Sequence, residues 1–290
     1  MTQTVFTSDG IRDRVSVTIE RIKEFEPKAG YYLAFSGGKD SIVCHHLLKE
    51  SGVKFDSHYN LTTVDPPELV RFIKQQYPNV SIHYPELSMW QLIKKKGFPP
   101  TRFVRYCCSE LKEGGGKGRF VVTGVRWAES SRRKSSRREI EFDAYGSNSR
   151  KALKDREIFL HSDNDKRRLM IETCTIKGKH ILNPIIDWLD NDIWEYIQNN
   201  NLQYPSLYDE GWKRLGCIGC PLTGEKQRRK EFNRYPKYKM AYIRCFDYLI
   251  DNSNGIYKDY HNGNEMFDAW LKYGYVHKTP DDGRLKEKKD

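Results

Sequence analysis

Val15, Ile19, Ile22 and Phe25 recur at helical spacing, which predicts an amphipathic helix over roughly Ile11–Phe25, ended by Pro27 and Gly30. The apolar run Tyr31-Tyr32-Leu33-Ala34-Phe35 is short enough to be a buried strand. It breaks at Ser36-Gly37-Gly38, after which Ile42, Val43, Cys44, Leu47 and Leu48 mark a helix that stops near Gly52. Phe55–Leu61 reads as a second strand. Asp65-Pro66-Pro67-Glu68 then opens a helix with inner face Leu69, Phe72 and Ile73, because Asp can cap it and proline in a first turn gives up an N–H that has no helical partner. Val80–Tyr84 is a third strand, Met89–Lys96 a short helix, Arg119–Thr123 a fourth strand and Ile181–Ile186 a fifth. Asp190–Tyr196 and the aromatic-rich Lys226–Ile250 complete the helical segments.

Strands alternating with helices predict an α/β fold, a doubly wound, mainly parallel five-stranded sheet with a C-terminal helical extension. The rhythm places the main domain at 1–225, helices at 226–277 and a charged, disordered tail at 278–290. Within the main domain the polar stretch Arg126–Lys179 lacks clear periodicity and carries basic pairs, Arg132-Arg133, Arg137-Arg138 and Arg167-Arg168. Its centre, about 130–175, is expected to be an insertion or lid. The 290 residues carry 50 Lys and Arg against 39 Asp and Glu, a net +11 that favours anionic partners. No run approaches the ~20 apolar residues of a membrane span and Met1–Gly10 has no apolar leader, so a cytoplasmic chain without membrane partners is expected. In a reducing compartment the seven cysteines are thiols or metal ligands before they are disulfides. Isolated Cys44, Cys174 and Cys245 read as buried thiols.

Chemistry concentrates first at Ser36-Gly37-Gly38-Lys39-Asp40-Ser41, between a strand and a helix. Two glycines bring backbone N–H groups close to an anion, and the helix N-terminus adds donors and partial positive charge. Lys39 can neutralise phosphate, the Ser36 and Ser41 hydroxyls can donate to it, and Asp40 can cap the helix or help hold Mg²⁺. An ordinary strand–helix turn with a capping Asp is the plainer alternative. The spacing is neither the Walker loop nor the dinucleotide Gly-x-Gly-x-x-Gly.

Ser-Gly-Gly-Lys-Asp-Ser after an apolar strand resembles the PP-loop of the ATP pyrophosphatase superfamily, whose adenine-nucleotide alpha-hydrolase-like fold is the α/β arrangement expected here. Gly124-Val125-Arg126-Trp127-Ala128-Glu129-Ser130-Ser131-Arg132-Arg133 is similar to the Gly-x-Arg-x-x-Gln/Glu-Ser-x-x-Arg segment of phosphoadenosine-phosphosulfate (PAPS) reductases. Asn183-Pro184-Ile185-Ile186-Asp187-Trp188, Asp192–Ile197 and Tyr204–Tyr208 look like that family's next block, and the matches run in the family's order from about Ile11 to Pro221. The resemblance implies adenine nucleotide bound by Ser36, Gly37, Gly38, Lys39, Asp40, Ser41, Gly124 and Arg126. It implies catalytic roles for Lys39, Asp40, Arg126, Glu129, Ser130 and Arg133, with Mg²⁺ arriving with ATP. The guanidinium forks of Arg126, Arg132 and Arg133, beyond the fourth strand, suit phosphate or sulfate, whereas Arg137 and Arg138 read as a solvated basic loop.

Cys107-Cys108 and Cys217-Ile218-Gly219-Cys220 supply four thiolates, enough for tetrahedral zinc or a 4Fe–4S cluster. Adjacent cysteines, with Cα atoms about 3.8 Å apart and side chains leaving in different directions, suit the separated corners of a cubane better than a single zinc. Zinc and free or redox thiols stay open. The arrangement also resembles the cluster ligands of adenylyl-sulfate (APS) reductases and of DNA-phosphorothioation ATP pyrophosphatases.

Sulfonucleotide reductases use a nucleophilic cysteine in a C-terminal Glu-Cys-Gly-x-His-like motif, and this sequence has no cysteine after Cys245. The expectation is therefore ATP–Mg²⁺-dependent adenylation of an acceptor with pyrophosphate release, in a sulfur-transfer or nucleic-acid modification reaction. An APS/PAPS reductase of sulfate assimilation and a non-catalytic nucleotide- or nucleic-acid-binding regulator are the alternatives. A nucleic acid on the basic insertion, with Tyr145 nearby, and a sulfur-donor protein are the expected macromolecular partners.

Overall fold

The computed structural model describes residues 4–7, 10–143, 179–274 and 276. Most of the expected insertion, including Arg167-Arg168, Tyr145 and Cys174, and the tail 278–290 lie outside the described residues.

Two compact units emerge. One comprises residues 1–59, 67–83 and 115–214; the other gathers 60–66, 84–114 and 215–290. The contiguous division expected from the sequence, with its boundary at 225, could not register a unit assembled from three separate stretches.

The first unit opens with an antiparallel hairpin, β1 (Thr4–Thr7) and β2 (Gly10–Asp13). The helix expected from Ile11 instead begins later, as α1 (Arg14–Glu24), because the Asp13 carboxylate caps it by accepting from the Ser16 N–H at 2.8 Å. Then come β3 (Tyr31–Ala34), α2 (Lys39–Ser51), β4 (Phe55–Asn60), α3 (Pro67–Gln76) and β5 (Ser81–His83). The unit continues with β6 (Phe120–Val122), α6 (Ser131–Ser136), β7 (Ile140–Asp143), β8 (Lys179–Leu182) and α7 (Asp190–Asn199).

The main sheet has six strands in the order β5-β4-β3-β6-β8-β7. β3 pairs in parallel with β4 and β6, and β6 with β8, whereas β7 runs antiparallel to β8. The mainly parallel, doubly wound α/β expectation holds, with one strand more than the five expected. β7 escaped notice because Ile140-Glu141-Phe142-Asp143 is too short and polar to stand out within a basic segment. The last expected strand ends at Leu182 rather than Ile186, since Asn183 turns the chain away.

The central strand β3 is buried, Leu33 completely so, and enclosing a leucine contributes about 1.5–3 kcal/mol. From β3 the chain steps to β4 and β5 on one side, then returns to β6 on the other. That reversal puts a topological switch point between β3 and β6, where open α/β sheets bind ligands beyond the strands' carboxyl ends.

In the second unit, α4 (Met89–Lys96) and α5 (Tyr106–Leu111) join α8 (Glu225–Arg234), α9 (Pro236–Asn252) and α10 (Gly263–Tyr273). The single helix expected over Lys226–Ile250 is broken at Tyr235, because Pro236 cannot donate to the preceding turn and starts a new helix instead. Phe232, Tyr242, Phe246, Phe267 and Trp270 form its buried aromatic core.

Candidate functional site

Sequence order alone puts both motif-bearing loops of the first unit at the switch point: the glycine loop follows β3 and Gly124–Arg126 follows β6. Gly37 takes φ +70°, and a Cβ there would meet Ile73 at 2.7 Å and Leu69 at 2.9 Å. Only glycine fits both the left-handed backbone and the tight contact. Gly38 is extended, at φ −81°, and is the N-cap of α2, a position the sequence reading had offered to Asp40. Gly124 lies so close to the loop that an added Cβ would be 3.0 Å from the carbonyl carbon of Asp40. That contact locks the end of β6 onto the first turn of α2.

Several of the loop's polar groups are held by partners within the fold. Ser41 Oγ donates to the Gly38 carbonyl at 2.9 Å and accepts from the Ser36 N–H at 3.2 Å, and the two serine hydroxyls are 3.1 Å apart. The Lys39 N–H donates to the Tyr208 phenol at 3.0 Å. Burial pushes that phenol's pKa up, so it stays protonated. Lys39 is buried, with Nζ 3.3 Å from Asp40 and 3.2 Å from Asp190.

Arg126, 1% exposed, donates from Nε to Asp40 at 2.7 Å, from Nη2 to Asp190 at 2.6 Å and from Nη1 to the Trp188 carbonyl at 3.2 Å. Its guanidinium therefore ties α2 to the start of α7. Although partial burial alone would raise it, hydrogen bonding to Arg126 and the charge of Lys39 hold the Asp190 carboxyl below the usual carboxylate range. In the sequence pattern Asp190 marks only the opening of a helix. Nothing in its local pattern marks it, because the partnership spans 64 residues to Arg126.

Glu129 ion-pairs with Arg133 and accepts from the Arg126 N–H at 3.1 Å. Ser130 caps α6, accepting from the Arg133 N–H at 3.2 Å. Both residues thus brace the two arginines. Burial, with repulsion from Arg214 and Arg137, pushes Arg133 down to about 10, so it remains charged at neutral pH. The Asn183–Trp188 block is structural: Asn183 donates to the Arg138 carbonyl at 2.7 Å, and Trp188 Nε1–H to Thr18 at 3.0 Å.

The four clustered cysteines all belong to the second unit, with Cys107 and Cys108 on α5. The Cys217–Cys220 turn closes through Cys220 N–H to the Cys217 carbonyl at 3.2 Å. It is pinned by the Ile218 N–H donating to the Val64 carbonyl at 2.8 Å and the Gly219 N–H donating to Glu231 at 2.8 Å. Cys107 and Cys108 share a hydrogen bond that raises the first thiol's pKa and lowers the second's. Cys217 and Cys220 also repel a negative charge on Cys107. Although its surroundings alone would lower it, the charges of Cys217, Asp65 and Cys220 raise Lys112 above the usual lysine range. Asp65 does not act as the expected helix cap; it is buried and accepts from the Thr62 N–H at 2.6 Å.

Among the described residues, no three His, Cys, Asp or Glu side chains are arranged to hold one metal ion. Sulfurs around one tetrahedral zinc would sit about 3.8 Å apart, given Zn–S bonds near 2.3 Å. Four thiols with a lysine among them are a donor set whose chemistry fits either zinc or an iron–sulfur cluster. Cys44 and Cys245 are buried thiols, as expected, and burial pushes both pKa values up.

Residues 30–223 match the model of the phosphoadenosine phosphosulfate reductase domain, two thirds of the chain. The chain belongs to that family. An uncharacterised protein of Methanocaldococcus jannaschii is 28% identical over 70% of the chain and 44% of the relative. A second from that organism is 24% identical over 89% of the chain and 46% of the relative, so the chain spans less than half the length of both. The adenosine 5′-phosphosulfate reductase of Oceanobacillus iheyensis is 26% identical over 64% of the chain and 69% of its own length. The solved PAPS reductase of Candida auris aligns over 69% of the chain and 87% of its own, at 18% identity and a TM-score of 0.44. Among the described residues of this family member no helix is long and apolar enough to cross a membrane.

Proposed function

We propose that this PAPS reductase-family chain binds ATP with Mg²⁺ at the Ser36–Ser41 loop and adenylates an acceptor. The observation that carries this reading is the placement of Lys39 and the start of α2 at the switch point, with Gly124 locked against Asp40. An acceptor oxygen attacks the α-phosphorus, the bond from that phosphorus to the bridging oxygen breaks, and pyrophosphate leaves with the electron pair. The adenylated carbon is then open to a sulfur nucleophile, with AMP as the second leaving group.

Lys39 and Arg133 offset charge on the phosphates, and Arg126 fixes Asp40 and the loop behind them. Asp40 accepts from Arg126 through one oxygen and retains lone pairs for Mg²⁺. Cys107, Cys108, Cys217 and Cys220 would hold a 4Fe–4S cluster, which supplies electron or sulfur handling when bound. Acceptors in a nucleic acid and a partner protein that donates sulfur fit the basic chain.

The test measures pyrophosphate release from ATP in the presence of candidate acceptors, beside sulfite release from APS and PAPS. Lys39→Ala should abolish the first. The second reading, a sulfonucleotide reductase, is favoured by the adenosine 5′-phosphosulfate reductases among its relatives. Reductant-dependent sulfite release with a sulfonate adduct on a cysteine would replace the adenylation reading.

A further inference from the structure

Lys39 and Arg126 are the two buried cations at the glycine loop, and Asp190 reaches both: one oxygen, Oδ1, lies 3.2 Å from Lys39 Nζ and 2.6 Å from Arg126 Nη2. Asp40 touches the same two cations at 3.3 Å and 2.7 Å. Two carboxylates therefore close a ring of four charges that sums to zero. The partners differ in freedom. Both ride in the first turn of a helix, but the Asp40 side chain is 23% exposed whereas that of Asp190, the first residue of α7, is 65% exposed. Asp190 can swing into solvent without moving a helix, so it is the group an incoming anion would displace.

We propose that Asp190 is a specificity-determining residue, an internal anion that makes this loop refuse small oxyanions and admit polyphosphates. The inference rests on the nucleotide reading of the Ser36–Ser41 loop. Inorganic phosphate or sulfate at Lys39 exchanges one anion for another, and the gain in charge pairing nearly cancels against the loss of Asp190. A nucleoside triphosphate meets the same exchange at Lys39 but adds further phosphoryl groups for the start of α2 and Arg133. Only such a ligand outweighs the carboxylate it displaces. Asn at this position would still accept from Arg126, so the substitution removes charge while keeping the link to α7.

The experiment is competition of inorganic phosphate, sulfate, pyrophosphate and ATP against a fluorescent ATP analogue, on the full chain and its Asp190→Asn and Asp190→Ser variants. Circular dichroism checks each fold, and the serine variant carries the test if the asparagine variant does not fold. Phosphate and sulfate should bind the variants about tenfold more tightly, 1.4 kcal/mol, while ATP gains less, so the ATP-to-phosphate affinity ratio narrows. Unchanged or weaker phosphate binding, or an equal gain for every ligand, overturns the proposal. A Lys39→Ala arm separates the two readings. If it leaves ATP affinity unmoved, the nucleotide site itself is wrong; if it weakens ATP while the Asp190 variants show no selective gain, only the role of Asp190 fails.

Discussion

Gly37→Ala should destabilise the first unit by an amount the local geometry sets. At φ +70° an L-residue costs about 1–2 kcal/mol. The new methyl would also sit 2.7 Å from Ile73 and 2.9 Å from Leu69, both buried, and forcing a methyl into a packed core costs about 1–3 kcal/mol. Alanine's lower unfolded-state entropy returns roughly 0.4–1 kcal/mol. The net loss is about 1–5 kcal/mol, a fall in Tm on the order of 2–8 °C for a chain of 290 residues. Urea denaturation of Gly37→Ala, Ile73→Ala and the double variant measures it and separates its parts. Removing Ile73 frees the steric share but not the backbone share, so the double variant should be more stable than additivity predicts by about 0.5–3 kcal/mol. Stability of Gly37→Ala within about 0.5 kcal/mol of the parent, or strict additivity, would refute the reasoning.

Three further outcomes are expected. Gly124→Val should lower nucleotide affinity by roughly tenfold in calorimetry, because the clash is with Asp40 backbone that cannot rotate aside; an unchanged Kd refutes it. Burial among Phe35, Phe55 and Tyr77, with repulsion from Lys49 and His46, lowers His45 to about 4 from the usual 6.5. The unfolded chain therefore binds the proton first, so stability is full above pH 6.5 and falls as pH drops towards 4, by at most about 3 kcal/mol. Melting curves of His45→Phe across that window should lose this slope. Substituting Ser for any of Cys107, Cys108, Cys217 or Cys220 should remove iron and acid-labile sulfide from anaerobically prepared protein and lower its Tm. Stoichiometric zinc without iron in the parent protein would exclude the cluster.

What the sequence disclosed followed its local periodicities. The run from Tyr31 to Phe35, the glycine loop and the helix after it were all legible, because strand, turn and helix signals each occupy a few adjacent residues. The Arg126 motif was legible as a motif but not as a clasp: its partners Asp40 and Asp190 lie 86 and 64 residues away. The same limit hid Tyr208 beneath the Lys39 N–H, 169 residues distant. Thr63, a β-branched residue at φ +65°, is held by accepting from the Met89 N–H at 2.9 Å, a tertiary constraint that no propensity reveals. Pro236, by contrast, carried its own signal, a helix break that aromatic periodicity outweighed in the reading of Lys226–Ile250.

The discontinuous second unit dictates an order of events during synthesis. Residues 60–66 and 84–114 leave the ribosome before residues 215–290, which complete their unit. Until then the Gly97 and Pro100 carbonyls lack the donors they later accept from, the Tyr257 hydroxyl at 2.8 Å and the Trp270 ring N–H at 2.9 Å. Trp90 likewise waits for Tyr242, its edge-to-face partner at 4.9 Å. At about 5–20 residues per second the delay is on the order of ten seconds, far longer than local collapse takes. The nascent chain thus carries an unfinished part of the second unit's core until residues 215–290 have been made. The thiols of Cys107 and Cys108 share that interval without Cys217 and Cys220, so any group that needs all four can be bound only once Cys220 has been made.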